Sequence, residues 1–107
     1  MSDRSPYTAI ADPTRRRVLD LLRVEGELRA GEIAATFDGR ARPGISRHLR
    51  ILRECGVVAC RNQGRERTYS LNAAPLADLR DGWLADFARV HTDSLKRLRA
   101  KVERGRD

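Results

Sequence analysis

No stretch of this sequence approaches the roughly 18 uninterrupted apolar residues that a membrane-spanning helix requires, and its N-terminus lacks the apolar core of a secretory signal. Neither a bilayer nor export is therefore expected, and the cytoplasm is the expected compartment. Cysteine is scarce. Cys55 and Cys60 are too few for a disulfide scaffold, and a reducing compartment keeps both as thiols. Internal repeats and low-complexity segments are also missing, the loosest stretches being Met1–Ser5 and Arg104–Asp107. Catalytic equipment is absent as well: there is no nucleophile with a plausible base, no phosphate-cradling glycine loop and no metal-ligand set, so neither an enzyme nor a cofactor is expected.

What is present is a mixed, basic, foldable composition. The 107 residues suffice for one core, so a single domain over 1–107 is expected. Hydrophobic residues make up 40% and charged residues 35%, and 22 Lys plus Arg against 15 Asp plus Glu leave a net charge of +7. A field of that sign suits a polyanion. Nucleic acid is the commonest, although an acidic lipid surface or a protein partner draws the same excess.

Along the chain, Tyr7 to Ala11 reads as a short helix whose Tyr7 and Ile10 need an apolar partner. Asp12-Pro13 is a helix start, since Asp caps free N–H groups and Pro at the first helical position loses no hydrogen bond. Val18, Leu21 and Leu22 form the apolar stripe of that helix, Gly26 stops it near Glu25, and Arg15, Arg16 and Arg17 fall on or beside its solvent face. Ala30 to Phe37 predicts a two-turn helix through Ile33, Ala34 and Phe37. A second predicted helix runs from about Arg42 to Cys55, closed by Gly56, with Ile45, Leu49, Leu52 and Cys55 on one side. Val57–Arg61 and Glu66–Leu71 are β-prone and flank the turn formers Asn62-Gln63-Gly64-Arg65, which reads as a hairpin with Tyr69 and Leu71 turned to the core. From Pro75 to about Val102, apolar residues from Leu76 through Leu79, Trp83, Phe87, Val90 and Leu95 to Leu98 recur at helical steps, predicting one long amphipathic helix.

A short helix, a turn, a second helix with a basic outer face and a basic hairpin follow one another in the order of a winged helix-turn-helix, a mainly α fold with a small β-hairpin. At about 100° per residue, Arg42, Ser46, Arg50 and Arg53 share one arc, with Pro43 and Arg47 at its edge, opposite Ile45, Leu52 and Cys55. Such a helix fits the major groove of double-stranded DNA. Its N-terminal residues Arg42, Ser46 and Arg47 are the candidates for base edges, and Arg50 and Arg53 for phosphates. Arg61, Arg65 and Arg67 surround Gly64 and place a basic wing on the backbone or a neighbouring minor groove. His48 falls nearer the apolar arc, where it serves either as a hydrogen-bonded structural residue or as a phosphate contact.

These residues resemble the ArsR-type (ArsR/SmtB) winged-helix repressors, particularly their metal-independent, autorepressor-like branch. The resemblance spans Tyr7 to about Leu98 and is carried by Ala11-Asp12-Pro13-Thr14-Arg15-Arg16, Gly31-Glu32-Ile33-Ala34, Ile45-Ser46-Arg47-His48-Leu49 and Leu52-Arg53-Glu54-Cys55-Gly56-Val57-Val58, with Arg65 to Leu71 as the second wing strand. It implies a cytoplasmic, nucleoid-associated homodimer whose first and last helices pair across a two-fold axis, with Tyr7, Ile10, Leu79, Trp83, Phe87 and Val90 at the interface. It also implies repression at an inverted-repeat operator, and an inducer that the residues do not name. The metal-sensing pattern is not matched: Glu27–Phe37 holds neither Cys nor His, and the last helix offers His91 beside Asp86 and Asp93, so no metal is expected. Alternatives are a repressor that responds to thiol chemistry through Cys60 beside Arg61 or to a metal at His91, or a winged helix that binds protein through its apolar last helix and leaves DNA alone.

Overall fold

The computed structural model describes residues 4–39 and 42–104, except the side chains of 91, 94, 95 and 100–104. The readings made of His91, Leu95 and Val102 as side chains therefore lie outside the described residues. Contacts divide the chain into two units, Met1–Leu76 and Ala77–Asp107.

In the first unit, local signals set the helix ends. Helix α1 (Pro6–Ile10) starts at Ser5, whose hydroxyl accepts from the Thr8 N–H, and α2 (Pro13–Glu25) starts at Asp12, whose Oδ1 accepts from the N–H groups of Thr14 at 2.8 Å and Arg15 at 3.1 Å. Gly26, at φ 86°, ends α2 with its N–H on the Leu22 carbonyl. The stripe of α2 differs by one position from expectation. Leu19 is buried beside Val18 and Leu22, and Leu21 stays half-buried, facing the groove that Val24, Thr36 and Phe37 line.

A short strand β1 (Glu27–Arg29) and helix α3 (Ala30–Thr36) follow, with Phe37 buried just past the helix. The Arg29 N–H donates to Glu32 Oε1 at 3.0 Å and closes the start of α3. The next helix begins later than predicted: Arg42–Gly44 is a 3₁₀ turn, and α4 proper is Ile45–Glu54. Pro43 has no N–H and Gly44 no capping side chain, and a tighter first turn is the usual outcome at such an end. The C-terminus of α4 is a full Schellman closure. Gly56, at φ 78°, donates to Arg53 O, Val57 donates to Leu52 O, and the side chains of Leu52 and Val57 are both buried.

Strands β2 (Val58–Gln63) and β3 (Glu66–Leu71) form the hairpin, joined by Gly64 and Arg65 alone. The turn is thus two residues shorter than the predicted four. Gly64 at φ 64°, followed by a residue of negative φ, gives the II′ geometry that matches strand twist. Strand β1 was not foreseen. It pairs antiparallel with β3, Leu28 opposite Tyr69, and gives a sheet of order β1-β3-β2.

Alternation divides this sheet into two faces. Leu28, Val58, Cys60 and Tyr69 turn toward the core, which is centred on Val18, Leu22, Ile33, Ile45, Leu52 and Val57. On the other face Thr68, 5% exposed, sits between Arg29 and Arg61. Arg61 pairs with Glu27, and Arg29 pairs with Glu32 and Glu66, so the stems of long side chains cover the threonine.

Helix α5 (Ala74–Arg104) opens with Leu76 packed on the first unit's core and continues as the second unit. Within it Trp83 and Phe87 stack at a centroid separation of 5.3 Å and an interplanar angle of 13°. Arg80 pairs with Asp81 and Arg89 with Asp86. No helix of the described residues is long and apolar enough to cross a membrane.

Candidate nucleic-acid interface

Helix α4 separates its residues cleanly. Ile45, Leu49, Ile51 and Leu52 are buried, while Arg42 and Pro43 of the preceding turn and Ser46, Arg47, Arg50 and Arg53 are exposed. Ile51, unremarked in the sequence, joins the buried side.

The arginines of the first unit divide by what they touch. Arg4 pairs with Glu54, Arg23 with Asp20, Arg29 with Glu32 and Glu66, and Arg61 with Glu27. Arg15 and Arg16 donate to carbonyls of α1, and the Arg17 guanidinium lies 4.6 Å over the Phe37 ring. The guanidinium hydrogen-bonded to Glu32 holds that carboxyl below its ordinary value. Among the described residues, none of Arg42, Arg47, Arg50, Arg53, Arg65 and Arg67 has a carboxylate within ion-pair distance. Among the described residues of the first unit, the arginines whose side chains have neither a carboxylate, a carbonyl nor a ring partner are these six, on α4, its lead-in turn and the hairpin, whereas Arg61 of the hairpin is paired. Like charges collected without counter-charges repel one another and are stabilised by an anion brought from outside.

The faces of β3 decide which wing arginine joins the helix. Arg67 lies on the Tyr69 side, and with Ser46, Arg50 and Arg53 it lines a concave pocket of about 300 Å³ floored by Leu49, Tyr69 and Ala30. Arg61 points to the opposite face, its Nε 2.8 Å from Glu27 Oε1 and its Nη2 3.0 Å from Oε2. Arg65 sits in the exposed hairpin turn. Of the three wing arginines, the structure therefore brings Arg67 together with α4 and ties Arg61 to β1.

His48 is half-buried on the side of α4 away from this pocket. Its Nδ1 lies 3.3 Å from Arg15 Nη1 and its Nε2 lies 3.9 Å from Asp12 Oδ1. Partial burial pushes the Asp12 carboxyl up, but the N–H groups of Arg15 and Thr14 and the nearby His48 and Arg15 outweigh it and hold the carboxyl below its ordinary value. Arg15 is thus not a solvated residue of the α2 surface, as its position in the helix suggested. It joins α1, α2 and α4, and its contact with His48, 33 residues away, has no local sequence signal. Cys55 is buried, Cys60 half-buried, and the two are not joined in a disulfide.

A short helix, a connecting turn, a helix with an outward basic face and a hairpin wing beside it define a winged helix-turn-helix protein. A helix-turn-helix domain family matches residues 10–61. The transcriptional repressor SdpR of Bacillus subtilis (strain 168) is 42% identical over 81 residues, covering 76% of this chain and 87% of its own. The HTH-type transcriptional regulator Rv2034 of Mycobacterium tuberculosis is 39% identical over 95 residues, covering 86% of this chain and 83% of its own. Among solved structures, an ArsR family transcriptional regulator superposes with a TM-score of 0.69 at 32% identity, over 80% of this chain and 86% of that one. The chain belongs to the ArsR family of winged-helix transcriptional repressors, DNA-binding regulators and not enzymes.

Proposed function

We propose that this chain acts as a homodimer that inserts α4 of each subunit into successive major grooves of an inverted-repeat operator and represses by covering promoter DNA. The observation that carries the reading is that, among the described residues of the first unit, the arginines with no side-chain partner collect on α4, its lead-in turn and the hairpin. Arg42, Ser46 and Arg47, nearest the N-terminus of the helix, reach base edges. Arg there holds guanine O6 and N7 through two parallel hydrogen bonds, and Ser adapts to either partner. Pro43 shapes the approach by fixing the turn ahead of α4. Arg50, Arg53 and Arg67 converge on backbone phosphate, and Arg65 extends the wing along the duplex. His48 supports α4 from behind, and Arg61 must exchange Glu27 for a phosphate before it can contribute.

The dimer is supported by apolar surface left uncovered on the first and last helices: Tyr7 is 56% exposed, Trp83 50%, Phe87 52% and Val90 61%, with Ile10 and Leu79 half-buried beside them in sequence. A two-fold axis through these helices sets the recognition helices about 34 Å apart, one turn of B-DNA. The protein then works at the nucleoid, in the cytoplasm.

A titration on the duplex upstream of its own gene, against a scrambled duplex at several salt concentrations, tests the reading. Selective binding with a steep salt slope is the expected result. Equal, weak affinity for both duplexes overturns the operator assignment, and no binding even at low salt turns the apolar α5 into the working surface of a protein-interaction module.

A further inference from the structure

Helix α1 is a single turn, too short to persist without outside partners. Its C-terminal carbonyls are held from α2: Arg15 donates through Nη2 to Thr8 O at 2.8 Å and through Nε to Ala9 O at 3.2 Å, and Arg16 donates to Ile10 O at 2.7 Å. The third nitrogen of the same guanidinium, Nη1, is 3.3 Å from Nδ1 of His48 in the middle of α4. An arginine only donates, so Nδ1 accepts, and the ring proton belongs on Nε2, the nitrogen that faces Asp12 Oδ1 at 3.9 Å. At the far end of α4, Glu54 pairs with Arg4, two residues before the start of α1. The α1 segment thus meets α4 through two separate ties.

We infer that Arg15 is a positioning residue for DNA reading, its planar fork locking α1 to the recognition helix so that the two turn as one body. The inference rests on α4 being the DNA-reading helix and α1 lying at the subunit interface, as proposed above. Arg15 joins three acceptors on two helices at once, and a lysine, with a single nitrogen, cannot. Ser46 and Arg47 directly precede His48 in α4, so a displacement of α1 imposed by a partner subunit at Tyr7 is delivered to the base-reading residues, and the spacing of the two helices in the dimer is held from within each subunit.

The test uses the full chain, a duplex enriched by the wild type from a random-sequence library, and a scrambled duplex. Arg15→Gln and His48→Leu are each expected to weaken binding to the enriched duplex by about three- to thirty-fold, and the double variant by no more than the weaker-binding single. Nonspecific binding and its salt slope stay unchanged. His48→Asn, whose amide oxygen takes the place of Nδ1 as acceptor, recovers most of the loss. Should Arg15→Gln fail to fold by circular dichroism, the comparison of His48→Leu with His48→Asn decides the matter alone. Independently of DNA, the ¹⁵N spectrum of the His48 ring is expected to show the Nε2–H tautomer. Additive losses in the double variant, an Asn variant as weak as the Leu variant, or an Nδ1–H tautomer would overturn the inference. A wild-type chain that enriches no duplex overturns the DNA reading instead, and the tautomer still judges the contact.

Discussion

Arg61 and Arg67 lie on strands of the same hairpin and face opposite ways: Arg61 is clasped by both oxygens of Glu27, and Arg67 opens into the pocket shared with Arg50 and Arg53. An exposed ion pair of this kind is worth ~0–1 kcal/mol, so Glu27 is displaceable, but the exchange offsets part of what Arg61 gains from a phosphate. Arg67→Ala is therefore expected to weaken DNA binding more than Arg61→Ala and to lower the slope of log K against log salt by about 0.9, the loss of one phosphate contact. Titrations of both variants from 50 to 200 mM salt, a range of roughly the usual working span, check it. Equal losses would mean that the Arg61–Glu27 pair opens freely on DNA.

Arg47 adjoins Ser46 on the exposed side of α4 and has no carboxylate partner among the described residues. If it reads a base, its truncation removes selectivity more than attraction. Arg47→Ala is expected to cost about 1–3 kcal/mol on the operator and to relax preference at one base pair. A phosphate-contacting arginine such as Arg53 should instead lose affinity for all duplexes alike. Competition between the operator and single-substitution duplexes distinguishes the two.

The parts of the fold that follow from neighbouring residues are legible in the sequence. Asp12-Pro13, Gly26 and Gly56 mark helix ends through hydrogen bonds spanning a few residues, and α4 segregates its arginines by periodicity alone. Strand β1 could not be read this way. Its three residues have one apolar side chain, and it exists because β3 offers a free edge, Glu27 meeting Ser70 across 43 positions of sequence. Sequence separation likewise conceals the contact of Arg15 with His48, 33 residues away, and of Arg61 with Glu27, 34 away. The sequence pattern groups the three wing arginines around Gly64 on no particular face; alternation from Tyr69 is the signal that separates Arg67 from Arg61.

The Asp12 carboxylate caps α2 and faces His48, and its folded-state pKa lies below its ordinary value. A group depressed on folding contributes stability that is full above its unfolded value and is lost as pH falls through the folded one. Wild-type stability should therefore hold through neutral pH and decline in the acid range below the ordinary carboxylate value of about 3.9. Asp12→Ala should cost about 0.5–2 kcal/mol at pH 7 and have a shallower acid limb. Urea unfolding at pH 7 and again in the acid range, wild type beside variant, measures both. Parallel limbs would assign the acid response to other carboxylates.

Trp83 and Phe87 stack on one side of α5 with about half of each ring exposed. Large rings in that state lose apolar contact to water unless another surface covers them. In the proposed dimer that surface is the partner's, and the rings set its strength. Trp83→Asp with Phe87→Asp is expected to convert dimer to monomer in sedimentation velocity, while the circular dichroism of the first unit's helices is retained, since its core is built from residues up to Leu76. A monomer keeps its recognition helix but engages one half-site at a time. Affinity for the full inverted repeat should then fall to that for a half-site, a loss on the order of 10²- to 10⁴-fold where the two sites are otherwise bound together. A doubly charged variant that stays dimeric would move the interface off these rings, and one that turns monomeric with operator affinity intact would separate dimerisation from DNA reading altogether.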